Sequence, residues 1–174
     1  MFLLTSNYLI LRRELHQLLN EKLIVTTLDN TINFFDELSV NLKNNTIVIS
    51  FINNQANLKL PVSFDSIFSQ ILLFLNNYKI TINNFVYYPV QQLIDNSKNP
   101  IKLNYIHNKI LSELILNKNG VDKIEMYKKI WPLDKNISLN KLDTHLTNIR
   151  NQILTLLSND VKIESNNKFL KISY

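Results

Sequence analysis

The chain has no cysteine, one glycine, four prolines and one tryptophan among its 174 residues. Each shortage excludes something. Without cysteine there are no disulfides, thiolate metal sites or cysteine nucleophiles, and the chain suits a cytoplasmic, reducing setting. With Gly120 as the only glycine, neither common glycine-rich phosphate loop can be written. No apolar run reaches the roughly 18 residues that suggest a membrane span. The opening Met-Phe-Leu-Leu-Thr-Ser-Asn lacks a basic region and a small-residue cleavage site, so no secretory signal is expected there. Alanine is scarce as well, while Asn, Ile, Lys and Leu abound. These are residues with AT-rich codons, and hydrophobic periodicity persists throughout, so the bias is not low complexity.

Charge is unevenly placed. Residues 1–77 carry five Lys+Arg against six Asp+Glu; residues 78–174 carry fourteen against eight. The entire positive excess lies in the second part, as expected where that part meets a polyanion. A merely soluble basic domain is the plainer alternative.

Two domains are read, 1–77 and 78–174. In the first, Phe2–Thr5 reads as a strand, Tyr8–Glu21 as a helix and Leu23–Thr27 as a strand. Asp29 or Asn30 caps a helix running to about Leu42. Thr46–Phe51 and Leu58–Pro61 read as strands, and Ser63 caps a helix over Phe64–Leu75. Strands alternating with helices predict a parallel α/β sheet. In the second domain, Lys79–Tyr88 and Leu93–Leu103 are extended and suggest a small antiparallel sheet. Asn104 caps a helix to about Asn117, with Gly120 as its stop. Asp122-Lys-Ile-Glu125 fits a capping box and opens a helix ending at Trp131-Pro132. After a loop, Leu139–Leu157 forms a third helix. Val161–Ile163 and Lys168–Ser173 flank the Asn-rich turn of a terminal hairpin.

That third helix has two faces. Leu142, Leu146, Ile149 and Ile153 recur at i, i+4, i+7 and i+11, an apolar stripe. The opposite face holds Thr144 and Asn151, flanked by Asn140, Thr147, Asn148 and Thr155, with His145 and Arg150 at its margins. Uncharged hydrogen-bonding groups edged by cations suit a polar, anionic partner such as nucleic acid. An ordinary solvated face is the alternative, because Asn is abundant everywhere in the chain.

The order sheet, three helices, hairpin is that of a winged helix. The residues Ile130-Trp131, then Leu142-Asp143-Thr144-His145-Leu146 and Ile149-Arg150, resemble the C-terminal effector domain of OmpR/PhoB-type response regulators. That family ends its second helix in Val-Trp and writes Val-Asp-Val-His-Ile-x-x-Leu-Arg in its third. The resemblance covers about residues 78–174. It implies that the third helix lies in the major groove of duplex DNA. Thr144, Thr147, Asn148 and Asn151 would read bases there, and Asn140, Lys141, His145, Arg150 and Lys168 would approach the backbone. It assigns Trp131 to the core and the loop 132–138 to contact with RNA polymerase. The family's wing, Thr-x-x-Gly-x-Gly-Tyr, is replaced by the shorter Ser165-Asn-Asn-Lys-Phe169, without either glycine.

The first part resembles the same family's receiver domain, shortened. A receiver ends its last strand in Lys-Pro followed by a Phe and a helix; here Leu58-Lys-Leu-Pro-Val-Ser-Phe64 stands in that place, with Leu60 where the lysine belongs. Ser6 and Asn7 replace the acidic pair after the first strand, and Ser50 or Phe51 replaces the phosphoacceptor. Phosphoryl transfer needs a carboxylate nucleophile and carboxylates for Mg²⁺, so neither phosphorylation nor Mg²⁺ binding is expected. Leu58, Phe64, Ile67 and Ile71 are the expected dimer contacts, because their segment matches the family's pairing face.

The fold class expected is therefore a truncated, parallel-sheet α/β receiver-like domain followed by an α+β winged-helix domain. The function expected is an atypical, phosphorylation-independent transcription factor that binds A·T-rich duplex DNA as a homodimer. No cofactor, metal or membrane partner is expected. The scattered His16, His107 and His145 have no ligand spacing, and no constellation supports an enzyme. Phe85, Tyr87 and Tyr88 could stack on bases, although strand packing explains them as well. A winged-helix protein-interaction module and an RNA-binding regulator remain the alternatives.

Overall fold

The computed structural model describes residues 1–24, 26–30, 34–96, 100–154, 161–166 and 168–174. The chain forms two compact units, Met1–Tyr78 and Lys79–Tyr174, and both mix helices with sheet. No helix among the described residues is long and apolar enough to cross a membrane.

In the first unit, β1 (Phe2–Thr5) is followed by α1 (Leu9–Glu21), which buries Leu11, Leu15 and Leu19. The helix closes as Leu23, at φ 62°, turns the chain back, and the Ile24 amide donates to the Leu19 carbonyl. That left-handed residue is why the expected strand over 23–27 shrinks to β2 (Thr26–Thr27); residue 25 lies outside the described residues. The helix expected from Asp29 or Asn30 to Leu42 is not formed over its described C-terminal part, where β3 (Glu37–Lys43) runs instead. Its buried residues are Leu38 and Val40, at period two rather than 3.6. β4 (Thr46–Phe51) has the expected bounds, with Ile47, Ile49 and Phe51 buried. The next strand, β5 (Asn54–Lys59), begins and ends earlier than expected. α2 (Phe64–Asn76) starts on the Ser63 cap, whose hydroxyl accepts from the Ser66 amide.

The sheet order is β2-β1-β3-β4-β5. β1 pairs in parallel with β2 and β3, but β4 runs antiparallel to both β3 and β5. The sheet is therefore mixed, which corrects the expected parallel one. The reason is loop length. Only Asn44 and Asn45 join β3 to β4, both at positive φ, and only Ile52 and Asn53 join β4 to β5. Two-residue connections make hairpins; a parallel pair needs a crossover of a dozen residues or more. Phe2 anchors the core, with Phe35, Phe51 and Tyr78 ring centroids 5.9, 5.7 and 5.1 Å away.

The second unit opens with an antiparallel sheet of β6 (Ile80–Ile82), β7 (Phe85–Tyr88), β8 (Leu93–Asp95) and β9 (Ile101–Lys102). Phe85 and Tyr87 are buried in it. The Tyr87 hydroxyl donates to Asn108 Oδ1 at 2.7 Å and lies 2.7 Å from the Ser112 hydroxyl. Burial pushes its pKa upward. This aromatic is satisfied in the core, not offered to a base. Asn104 caps α3 (Tyr105–Leu116) by accepting from the His107 amide. Gly120, at φ +100°, then lets the chain pass close to the Leu170 carbonyl, where a Cβ would sit at 3.2 Å. β10 (Val121–Asp122) leads directly into α4 (Lys123–Ile130), capped by Asp122 through the Ile124 and Glu125 amides. α5 (Leu139–Ile149) follows. The expected helix to Leu157 changes character at Arg150–Leu154, which is π-helical; 155–157 lie outside the described residues. β11 (Lys162–Ser165) and β12 (Phe169–Ser173) form the terminal hairpin, and β10 pairs with β12 to complete a three-stranded sheet.

Candidate nucleic-acid interface

α5 is positioned by its buried stripe. Leu142, Leu146 and Ile149 are fully enclosed, and Ile153 continues the stripe into the π-helical turn. Burying these side chains, at roughly 1.5–3 kcal/mol each, fixes which face turns outward. On the outer side Asn140, Thr144, Thr147 and Asn151 are exposed and Asn148 is half-buried. Asn140, Asp143, Thr144, Thr147 and Asn148 line a shallow depression of about 320 Å³.

The hydroxyls on this face are committed in a particular way. Thr144 Oγ1 donates to the Asn140 carbonyl at 2.8 Å, and Thr147 Oγ1 to the Asp143 carbonyl at 2.9 Å. Each threonine thereby spends its proton on the helix backbone four residues earlier. What remains for a partner is a methyl group, oxygen lone pairs and the neighbouring Asn amides. Asp143 is held by Lys123, 3.4 Å away and almost buried. Sequence reasoning missed this pair, because its members lie 20 positions apart on different helices.

The cationic margin is more engaged than the sequence suggests. Lys141 Nζ donates to Asp134 Oδ2 at 2.9 Å and lies 4.4 Å from the Trp131 ring centroid. The Tyr127 hydroxyl donates to the same Asp134 oxygen at 2.6 Å. That hydrogen bond, and then Lys141, hold the Asp134 carboxyl below its ordinary pKa. His145 lies between Trp131 and His107, each centroid 5.5 Å away. Its buried Nδ1 receives no hydrogen bond among the described residues. Burial, and then Lys141, lower its pKa, which favours the neutral imidazole. The His107 pKa is lowered by burial and by His145. Arg150 Nε and Nη2 both donate to the Ile163 carbonyl, at 3.2 and 3.1 Å, tying the end of the helix to β11. Lys168 is exposed beside the Phe169 ring, 5.6 Å from its centroid. The Asn166 side chain shapes that turn by accepting from the Lys168 and Phe169 amides at 2.9 and 2.6 Å. Between α4 and α5 the loop 132–138 is exposed throughout, Leu133 most of all at 93%.

The expected phosphorylation pocket is dispersed. Ser6 and Asn7 follow β1, and Asn7 is zipped to β3: its amide donates to Asn41 Oδ1, its Nδ2 to the Leu42 carbonyl, and its Oδ1 accepts from the Leu42 amide. Leu60 lies at this same end, its amide on the Asn45 carbonyl. Ser50 and Phe51 stand apart, which corrects their assignment. β3 lies between β1 and β4, so Ser50, opposite Ser39, is level with Thr5 but two strands away from it, and Phe51 is opposite Leu38. That intervening strand runs parallel to β1, and the residues at its end are Asn41, Leu42 and Lys43, none of them a carboxylate. The expected dimer contacts also divide. Ile67 and Ile71 are buried beneath α2 in their own unit, at 5% and 0% exposure, whereas Leu58 and Phe64 are half-buried. No group of three or more metal-ligating side chains is assembled among the described residues.

No protein-family model matches the chain, and no curated protein matches it in sequence.

Proposed function

We propose that the chain is an atypical, response-regulator-like transcription factor that binds duplex DNA through a winged helix formed by its second unit. The observation that carries this reading is the outer face of α5. A helix held rigidly by a buried stripe presents Thr methyl groups and Asn amides around a shallow depression, with no exposed carboxylate except the Lys123-paired Asp143. Asn pairs with adenine edges and a Thr methyl packs on the thymine methyl, so A·T-rich half-sites are favoured. Thr144, Thr147, Asn148 and Asn151 read bases, and Asn140 at the start of the helix and Lys168 on the hairpin reach the backbone. His145, packed between the Trp131 and His107 rings, orients the helix. The net charge of this half supplies the remaining, sequence-independent attraction. The first unit, receiver-like in the order of its strands but with a mixed sheet, serves as a platform and accepts no phosphoryl group. The exposed loop 132–138 faces RNA polymerase.

The test is fluorescence anisotropy with duplexes recovered by selection from a random pool, against random duplex and single-stranded RNA, across a salt series. The expected result is selective duplex binding whose log affinity falls by about 0.9 per phosphate neutralised for each tenfold rise in salt. Salt-insensitive or absent retention, or a preference for RNA, would overturn the reading.

A further inference from the structure

The sheet of the first unit ends in an open edge. Among the described residues β5 borders only β4, and the Leu60 amide donates to the Asn45 carbonyl. With that bond fixing the phase of the ladder, the backbone groups of the even residues 54, 56 and 58 face β4. Those of Gln55, Asn57 and Lys59 therefore face outward. The opposite edge, β2, is only Thr26–Thr27. β5 is six residues long, without proline, and its only charge is Lys59. Natural edges are normally shortened, charged or covered; this one is full length, carries a single charge at its end, and leaves Gln55, Asn57 and Lys59 exposed.

We infer that β5 is the homodimerisation strand: a second copy of this chain pairs with it antiparallel, centred on Asn57. Antiparallel pairing about a two-fold axis sets residue i against a residue j with a constant sum. Centring on Asn57 engages the outward groups of Gln55, Asn57 and Lys59 together, so it makes more backbone bonds than any neighbouring register. It sets Lys59 against the partner's Gln55 and never against the partner's Lys59. On the other face it sets Ala56 against Leu58, both half-buried in the single copy. Residues 1–77 are nearly neutral in net charge, so two copies of this unit do not repel one another.

The helices support the same arrangement. α2 packs over β4 and β5. The axis stands perpendicular to the joined sheet, so both copies of α2 lie on one side of it. With strands about 4.8 Å apart, the two helices come to roughly 10 Å, within the spacing of packed helices. Phe64, Phe68 and Leu72, which the single copy leaves half-buried, lie on this helix. The inference stands on the first unit alone and does not require the second to bind DNA.

Sedimentation equilibrium of the full chain over micromolar to near-millimolar concentration tests it. A monomer–dimer equilibrium is expected. Gln55→Glu, which faces the partner's Lys59 twice per dimer, strengthens association about three- to tenfold, and Gln55→Lys weakens it by a similar factor. Asn57→Pro removes a central donor and leaves a monomer with an unchanged circular dichroism spectrum. Both side chains are exposed, so the Gln55 variants leave the fold intact and keep the test decisive if Asn57→Pro does not fold. A monomer at every concentration, or a dimer indifferent to the charge at residue 55, overturns the inference. A dimer that ignores duplex DNA would leave it standing and remove the functional proposal instead.

Discussion

Replacing Arg150 by methionine separates two roles that the sequence could not. The stem keeps its length, and the two donors to the Ile163 carbonyl, at 3.1 and 3.2 Å, are lost. A hydrogen bond from a charged donor contributes about 1.5–3 kcal/mol. Both donors share one acceptor and the side chain is half-buried, so the expected loss is about 1–2 kcal/mol. For a domain of this size, 1 kcal/mol moves Tm by about 4–8 °C, so the second unit should melt roughly 4–16 °C lower. The single tryptophan makes the assay specific. Trp131 belongs to the second unit and packs against Tyr127, 4.8 Å between centroids, so its fluorescence follows that unit alone. DNA binding supplies the other half of the test. A phosphate contact, when removed, lowers the salt slope by about 0.9. A residue that holds the hairpin to the helix lowers affinity while leaving the slope nearly unchanged. An unaltered Tm together with a slope reduced by the full increment would refute the anchoring role and return Arg150 to the DNA backbone.

Three further outcomes are expected. Asn148→Ala should cost about 1–3 kcal/mol on a selected duplex and little on random DNA; equal losses on both would remove its base-reading role. The folded state depresses the pKa values of His107 and His145, so the unfolded chain binds more protons below about pH 6.5. The stability they confer is therefore complete above that pH and lost as pH falls through their folded values. Trp131-detected melting should decline from pH 7.5 to 5.5, less steeply in a His107→Gln/His145→Gln variant, and a flat profile would contradict the packing. Ile52 is a β-branched residue at φ 55° and 55% exposed. Left-handed backbone costs such a residue about 1–2 kcal/mol, so Ile52→Gly should stabilise the first unit by about 1 kcal/mol. Hydrogen exchange across β4 and β5 measures it, and faster exchange would count against the strain.

What could be read from the sequence was what neighbouring residues decide among themselves. Ser63, Asn104 and Asp122 each cap the helix that begins beside them, and the stripe of α5 buries Leu142, Leu146 and Ile149 as its spacing requires. Misreading arose where two periods overlap. Phe34, Phe35, Leu38 and Leu42 recur as on a helix, while Leu38, Val40 and Leu42 alternate as on a strand, and the Asn44-Asn45 turn decides for the strand. Strand direction is not written in alternation at all. It follows from connection length: the two-residue turn sets β4 antiparallel to β3, and β3 then stands between β1 and the strand that carries Ser50 and Phe51. At the α5 margin the residue types were legible but their partners were not. The Ile163 carbonyl for Arg150 and the Trp131 ring for His145 lie at least 13 residues away along the chain.

The reversed strand also sets an order of assembly. β3, β4 and β5 are joined by two-residue turns, so their pairing closes short loops, which form in microseconds. The parallel pairing of β1 with β3 must first close more than thirty residues, at a greater entropic cost. The meander therefore forms early and offers β3 as a template on which β1 docks late. Slower refolding on disrupting the Asn44-Asn45 turn, with Leu4→Ala acting mainly on the unfolding rate, is the kinetic signature of that order. A chain of this composition thus builds an α/β sheet from its hairpins outward.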